Sequence, residues 1–544
     1  MTEVTLPRPR RIKVPWAGLS VLGLLGILSA FATLVSNTFS VTVAENVSDW
    51  ETQGASNCSD AYGSFDAFIP GLRGSAACTR GGFVPGTNVI SVTNLSTSGS
   101  GSFSDALRSA CPKVIIFDVA GHVDYGTTDD ILENGGIEEG CDHASIVGAS
   151  APGQFAVTGG DMKAALKLGG GDVTMDHIVS TNHGRGSNVD NNGQSRDAVS
   201  TGWEQTGHEK KLILNSAIIW GWDEGFQCYD NDLYRVVGTQ LWQSVIGLSG
   251  GYDPAELPSI VSHQFGHMNH WMCLQSANIR NVYMHEKSRS PFSRGDGLLH
   301  ANNIIFNPGT QNLISQPCGS GVVPTYRVNV MNNYTIWGPD TSMALWRTAD
   351  FQQAGCKTGE VSIYENGNAV QNGVTQAISN CTNHNCANLA ANNNWATSPV
   401  PYAMPTGYVP ESFDPSSDAS LTAFANKILA HVGPRPTDRL AYIQSRVVDA
   451  VEAGLSGNVA GMGAPLVLEQ TTMDDEGGFA VLNTNTGNWD ASAQCPTHDG
   501  NPNNNTPAEY NAISTSGSGL TNLHEWVITC FYDNVMPAGY REAL

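Results

Sequence analysis

The chain has 544 residues, 50 acidic against 27 basic side chains, and a formal net charge of −23. Such an acidic surface excludes phosphate-backbone binding as the main task, because nucleic acid demands Lys and Arg. Only 14% of residues are charged while Gly numbers 59, a balance that favours many strands and turns over long helices.

In chain order, "RPRRIK" (8–13) precedes the uncharged run "VPWAGLSVLGLLGILSAFATLV" (14–35). A basic n-region before an apolar run predicts export. Ala30-Phe31-Ala32 offers a cleavage site, and the run is also long enough to span a bilayer. Residues 1–35 therefore read as a cleaved signal or an uncleaved anchor, with the protein secreted or held at the cell surface. All 12 cysteines follow this run and none forms a CxxC pair, which predicts disulfides in an oxidising compartment. The pairing stays open. Asn57, Asn94, Asn333 and Asn380 open glycosylation sequons, relevant in a eukaryotic host.

A polar linker covers 36–60. From 61 to about 410 short β-branched or aromatic runs alternate with Gly/Asn/Asp-rich turns: "NVISVTNL" (88–95), "KVIIFDVAG" (113–121), "KLILNSAIIW" (211–220), "NIRNVYMHE" (278–286), "ANNIIFN" (301–307), "RVNVMNNYTIW" (327–337). The later runs recur roughly every 25–30 residues, the signature of a coil-by-coil solenoid. Asn302-Asn303 and Asn332-Asn333 suit a hydrogen-bonded ladder between coils, but taken alone the two pairs are better read as ordinary Asn-rich turns. Residues 411–455 carry helical periodicity broken at Gly433-Pro434, predicting two short helices. Residues 456–544, rich in Gly and Asn, form an appendage of unknown fold, with a small disulfide-stabilised β unit the expectation.

Several segments in order resemble polysaccharide lyase family 1, the pectate and pectin lyases. They are "FDAFIPGLRGSAACTRGGFVPGTNVISVTNLSTSGSGSFSDAL" (65–107), "VIIFDVAGHV" (114–123), "SIVGASAPGQ" (145–154), "LILNSAIIWGWDEG" (212–225), "NNYTIWGP" (332–339) and "VGPRPTDRLAYIQSRVVDAVEAGLSG" (432–457). The resemblance implies an all-β fold, a right-handed parallel β-helix with short C-terminal helices and a small appendage. It also implies cleavage of a polyuronate by β-elimination, in which a base removes the C5 proton while a cation neutralises the adjacent carboxylate. The family motif R-x-P-[R]-x-R-x-G is met by Arg289-Ser290-Pro291-Phe292-Ser293-Arg294-Gly295. By resemblance Arg289 is the base and Arg294 a carboxylate clamp; Phe292 replaces the middle Arg, and His270 stands where a Lys is usual. Asp197, Asp223 and Glu224 fall on the family's calcium-holding acids, whereas a further acid falls on Cys228, with Asp230 nearby. Calcium is thus the implied cofactor and an acidic polysaccharide the implied partner, with no nucleic acid and with membrane anchoring through 14–35 as an option.

Other readings compete. His263, His267 and His270 would share one face of a helix and tempt a zinc assignment, but no HExxH accompanies them; a loop leading into a strand is preferred, with His263 or His267 lining the groove. A hydrolase needs two acids flanking the bond, and the adjacent Asp223 and Glu224 would face opposite ways in one strand. The replacements at 228, 270 and 292 keep a third alternative, a non-catalytic carbohydrate-binding or structural β-helix such as a phage tailspike.

Overall fold

The computed structural model describes residues 58–69, 72–125, 137, 141–159, 164–182, 197–201, 208–221, 224–228, 236–247, 265–269, 273–286, 289–293, 295–308, 313–315, 325–338, 341, 346–348, 360–371, 375–377, 395–397, 408–457, 490–538 and 540. The apolar run 14–35 lies outside them, and no described helix is long and apolar enough to cross a membrane.

The chain is a parallel β-helix. Its described strands fall into three stacked sheets of twelve, ten and seven strands, plus a small antiparallel hairpin, Cys58–Asp60 with Gly63–Phe65. Each coil gives one strand to each large sheet in turn. Thus Gln240–Trp242 of one coil pairs with Ala277–Ile279 of the next, and Val245–Gly247 with Val282–Met284. Alternation along a strand sends every second side chain inward, and parallel register stacks like positions. Ile115, Ile146, Met175, Ile213 and Leu241 form one such inward row. With Val199 and Phe226 from the seven-stranded sheet and Ile218 and Ile246 from the ten-stranded one, they build a single interior core.

The corner between the twelve- and ten-stranded sheets is a repeated turn. A residue at positive φ (Asn215 43°, Gln243 48°, Arg280 57°, Asn302 56°, Asn332 51°, Gly367 68°) is followed by Ser216, Ser244, Asn281, Asn303, Asn333 or Asn368. The asparagines among the latter form a ladder. Asn281, Asn303 and Asn333 each donate a backbone N–H to the side-chain oxygen of the next rung at 2.9 Å, and their amides do the same at 3.2, 2.9 and 2.9 Å. Asn303 and Asn333 are therefore ladder residues and not ordinary turn asparagines. Each rung meets the acceptor of its neighbour only because the coils stack, a condition no single turn reveals. Buried at the corner, Asn333 is also unsuited to carry a glycan.

Among the described residues, two of the three outer faces have a cover. Helix Asp418–His431 and the helical run Ala441–Leu455 lie on the ten-stranded sheet, where Leu421, Phe424, Ile428, Ile443, Val447 and Val451 meet outward residues such as Val245, Val282 and Ile304. The twelve-stranded sheet is covered by residues 65–83 and 510–540, with Phe68, Phe83, Trp526 and Tyr532 packed on Leu212, Ala277 and Leu299. The described part of 490–540 is helical, against the β expectation. Thr506 and Glu509 make a capping box before Pro507–Tyr510, and Thr521 caps Asn522–Val527. Both segments are short helices, which Gly- and Asn-rich flanks conceal.

Every described cysteine is paired: Cys58–Cys78, Cys111–Cys141, Cys228–Cys273 and Cys495–Cys530. Cys318, Cys356, Cys381 and Cys386 lie outside the described residues.

Candidate active site

The site lies on the seven-stranded sheet, at the starts of strands Val199–Thr201, Glu224–Cys228, Phe265–Asn269 and Phe292–Ser293, which pair side by side. Asp197 precedes the first strand, Glu224 opens the second, and Arg289 leads into the fourth. Stacking brings together residues 27 and 65 positions apart in sequence. Asp197 Oδ1 accepts the backbone N–H of Glu224 at 3.1 Å, and Arg289 Nη1 forms an ion pair with Glu224 Oε1. Asp197, Glu224 and Arg289 are thus one connected group. His270, Arg294, Asp223 and Asp230 lie outside the described residues.

Burial makes this pair unusual. The Glu224 side chain is 0% exposed and the Arg289 side chain 23%, and Glu224 Oε2 makes no hydrogen bond. A buried carboxylate is tolerated when paired and bonded; here half of it is served. The Arg289 backbone is fixed separately. Its carbonyl accepts the His267 N–H at 2.7 Å, and its φ of 70° lies in the left-handed region, uncommon for any residue but glycine. The turn sits so close to the next strand that a Cβ on Gly266 would lie 2.8 Å from the Arg289 carbonyl oxygen, so glycine is needed there for close approach.

Phe292, in the place of the family's further cation, packs on Met268 on the outward row. The Arg289 guanidinium carbon stands 5.2 Å from the centre of its ring, within cation–π range, and Arg289 Nη1 lies 3.4 Å from Met268 Sδ. An aromatic face has replaced a positive charge beside the arginine.

Two expectations change. His267 does not line a groove: it is a strand residue in register with Phe226, wholly buried, bonded through Nδ1 to the Tyr283 hydroxyl at 3.2 Å and through Nε2 to Asn269 Oδ1 at 3.0 Å. Burial pushes its imidazole down to about 3, with the Asn269 bond opposing; His300, likewise buried in the interior, is pushed to about 3 by burial and then by His267. Phe265–Asn269 is a strand and not the helix that a three-histidine face needs; His263, like His270, lies outside the described residues. Cys228, at the position of the family's further acid, is bound to Cys273, so no thiolate is available there.

As a calcium seat the described residues offer oxygen donors from two carboxylates. Among described residues no group of three or more His, Cys, Asp or Glu stands ready for a metal. The donor type fits a hard cation, which takes 6–8 oxygens, and the unmet Glu224 Oε2 is an oxygen left over for one. Asp197 and Glu224 would hold such a cation.

Sequence comparison finds curated relatives. The chain is 26% identical over 281 residues to a probable pectate lyase C of Aspergillus flavus, covering 51% of this chain and 55% of that protein. It is 24% identical over 275 residues to the probable pectate lyase C of Aspergillus fumigatus, again covering 51% and 55%. The match spans about half the length of these relatives. No family model matches the chain. Among solved structures, a pectate lyase bound to a hexasaccharide has a TM-score of 0.38 at 12% identity, covering 68% of this chain and 98% of that one. Pectate lyase II of Xanthomonas campestris scores 0.35 at 11% identity, covering 67% and 99%. Scores of this size do not align residues, and the fold stands on the sheet topology above. The class of protein is therefore a parallel β-helix with a carboxylate–arginine site on one sheet, and the proteins it resembles are the pectate lyases.

Proposed function

We propose that the chain is an exported polysaccharide lyase that cleaves a pectate-like polyuronate by calcium-assisted β-elimination. The observation that carries this reading is the contact of Arg289 with Glu224, itself bonded to Asp197 on the adjoining coil, made across the intervening strand Phe265–Asn269 of a β-helix. Arg289 takes the C5 proton, Arg294 clamps a substrate carboxylate, and His270 supplies a hydrogen bond or a charge where the family has a lysine. Asp197, Asp223 and Glu224 would hold calcium, whose charge neutralises the uronate carboxylate and acidifies the neighbouring C–H. Proton removal at C5 then expels the C4 oxygen and leaves a double bond. The paired cysteines and the basic-plus-apolar N-terminus support secretion or surface attachment.

One experiment tests it. The exported domain is incubated with polygalacturonate, with calcium or with chelator, and the ultraviolet absorbance of the unsaturated product is followed. A calcium-dependent rise that Arg289→Ala abolishes supports elimination; new reducing ends without absorbance indicate hydrolysis. The second reading, a carbohydrate-binding β-helix without chemistry, is favoured by the Cys228–Cys273 disulfide at a ligand position. It predicts binding without absorbance.

A further inference from the structure

Glu224 has two carboxylate oxygens and two prospective cationic partners. Oε1 is held by Arg289, and Oε2 is buried with no hydrogen bond. An arginine in an ion pair is a bound cation and is not poised to accept a proton, so the described arrangement is a resting one. A divalent ion on Oε2 would stand a few ångströms from the guanidinium on Oε1. In a buried site like charges at that range repel strongly, and the two described carboxylates there, Asp197 and Glu224, carry two negative charges against three positive ones.

We propose that Glu224 is a shared seat: Arg289 occupies it as a latch when no metal is bound, and a divalent cation displaces the guanidinium from it. This rests on the lyase reading for its consequence, since the displaced Arg289 is the group that meets substrate. The local build suits a side-chain swing without movement of the turn. The Arg289 carbonyl is fixed by the His267 N–H at 2.7 Å, and Gly266 leaves that turn no room to be filled from below. Beside the guanidinium lie an aromatic ring at 5.2 Å and a thioether sulfur at 3.4 Å. Neither carries the positive charge that would oppose the swing, which gives the Phe292 replacement a purpose: a cation at that position would press Arg289 back onto Glu224.

The test uses the full exported chain. Calcium is titrated calorimetrically into the wild type and Arg289→Ala, and melting is followed in chelator and in saturating calcium. The latch predicts that Arg289→Ala binds calcium about tenfold tighter or more, melts several degrees lower in chelator, and regains the wild-type melting temperature in calcium. Arg289→Met, which refills the space beside Met268 and Phe292, gives the same affinity shift should the alanine variant fold poorly. Equal calcium affinity in wild type and variants, a melting deficit unchanged by calcium, or no calcium heat in any of the proteins overturns the proposal. Product absorbance is scored separately. An affinity shift without any product keeps the shared seat and removes the lyase reading; product with unshifted affinity does the reverse.

Discussion

Two buried polar regions of this molecule are built on opposite principles. At the asparagine corner Asn281, Asn303 and Asn333 each meet the next coil's amide, so a buried polar stripe is satisfied by repetition. At the seven-stranded sheet a buried carboxylate is half satisfied, by an arginine that the lyase reading needs elsewhere. Repetition makes polar burial cheap and inert; its interruption leaves a group whose partner can be exchanged. The difference teaches where to seek chemistry in a solenoid: at the coil that breaks its own pattern.

The comparison can be broken by mutation. Arg289→Ala is expected to lower elimination by on the order of a thousandfold, about 4 kcal/mol in the barrier, while leaving the far-ultraviolet dichroism of the β-helix intact; product absorbance at matched folded concentration reads it. Asn333→Leu should do the reverse. Asn333 donates to Asn368 Oδ1 and the His300 carbonyl and accepts from Asn303, so its loss strands several buried groups and costs about 3 kcal/mol, with unchanged rate per folded molecule in a urea-melt and assay pair. Gly266→Ala lies between the two. The added methyl would fall 2.8 Å from the Arg289 carbonyl oxygen, costing roughly 2 kcal/mol and also reducing turnover, because the Arg289 turn must move.

The smallest effect concerns acid. Burial lowers His267, His300 and His524 to about 3. The folded rings stay neutral where unfolded ones, near 6.5, take up protons. Their contribution is therefore complete above about pH 6.5 and is lost as the pH falls from there toward 3. His524 stacks on Phe83 at 4.2 Å between ring centres, and although the Phe68 carbonyl is nearby neither ring nitrogen closes a hydrogen bond. His524→Phe keeps the stack, removes the unmet polar atoms, and is expected to gain about 1 kcal/mol and flatten the acid limb of a melting-temperature profile. A steeper limb in that variant would show the ring to be protonated in the fold.

Much of this was legible beforehand. Strand-length apolar runs at near-constant spacing describe a solenoid, and Arg289, Pro291 and Glu224 sit in recognisable surroundings. The asparagine ladder was misread because its evidence is relational: Asn281 and Asn368 belong to it as fully as the doubled asparagines, and what unites them is the positive-φ residue before each, which lacks one sequence identity. The Glu224–Arg289 contact joins positions 65 apart through the stacking register, which periodicity does not specify to the residue. The helical C-terminal cover did leave a trace. "TPAE" (506–509) is a capping box with proline at the first helical position, overlooked among its Gly and Asn neighbours.

Arg80 gives the last consequence. Nearly fully buried, it binds Asp60 at 2.6 Å and the Gly519 carbonyl at 2.9 Å, while Asp66 donates its N–H to the Ser518 carbonyl at 2.7 Å. The coils can stack one after another as the chain emerges, but this clasp joins positions some 440 residues apart. Until residues 518–532 arrive, the outer face around Leu212, Ala277 and Leu299 has only the part of its cover that Phe68 and Phe83 belong to. The clasp therefore makes closure of this face depend on residues far apart in the described chain: losing Asp60, Arg80 or the 518–519 turn opens the same cover.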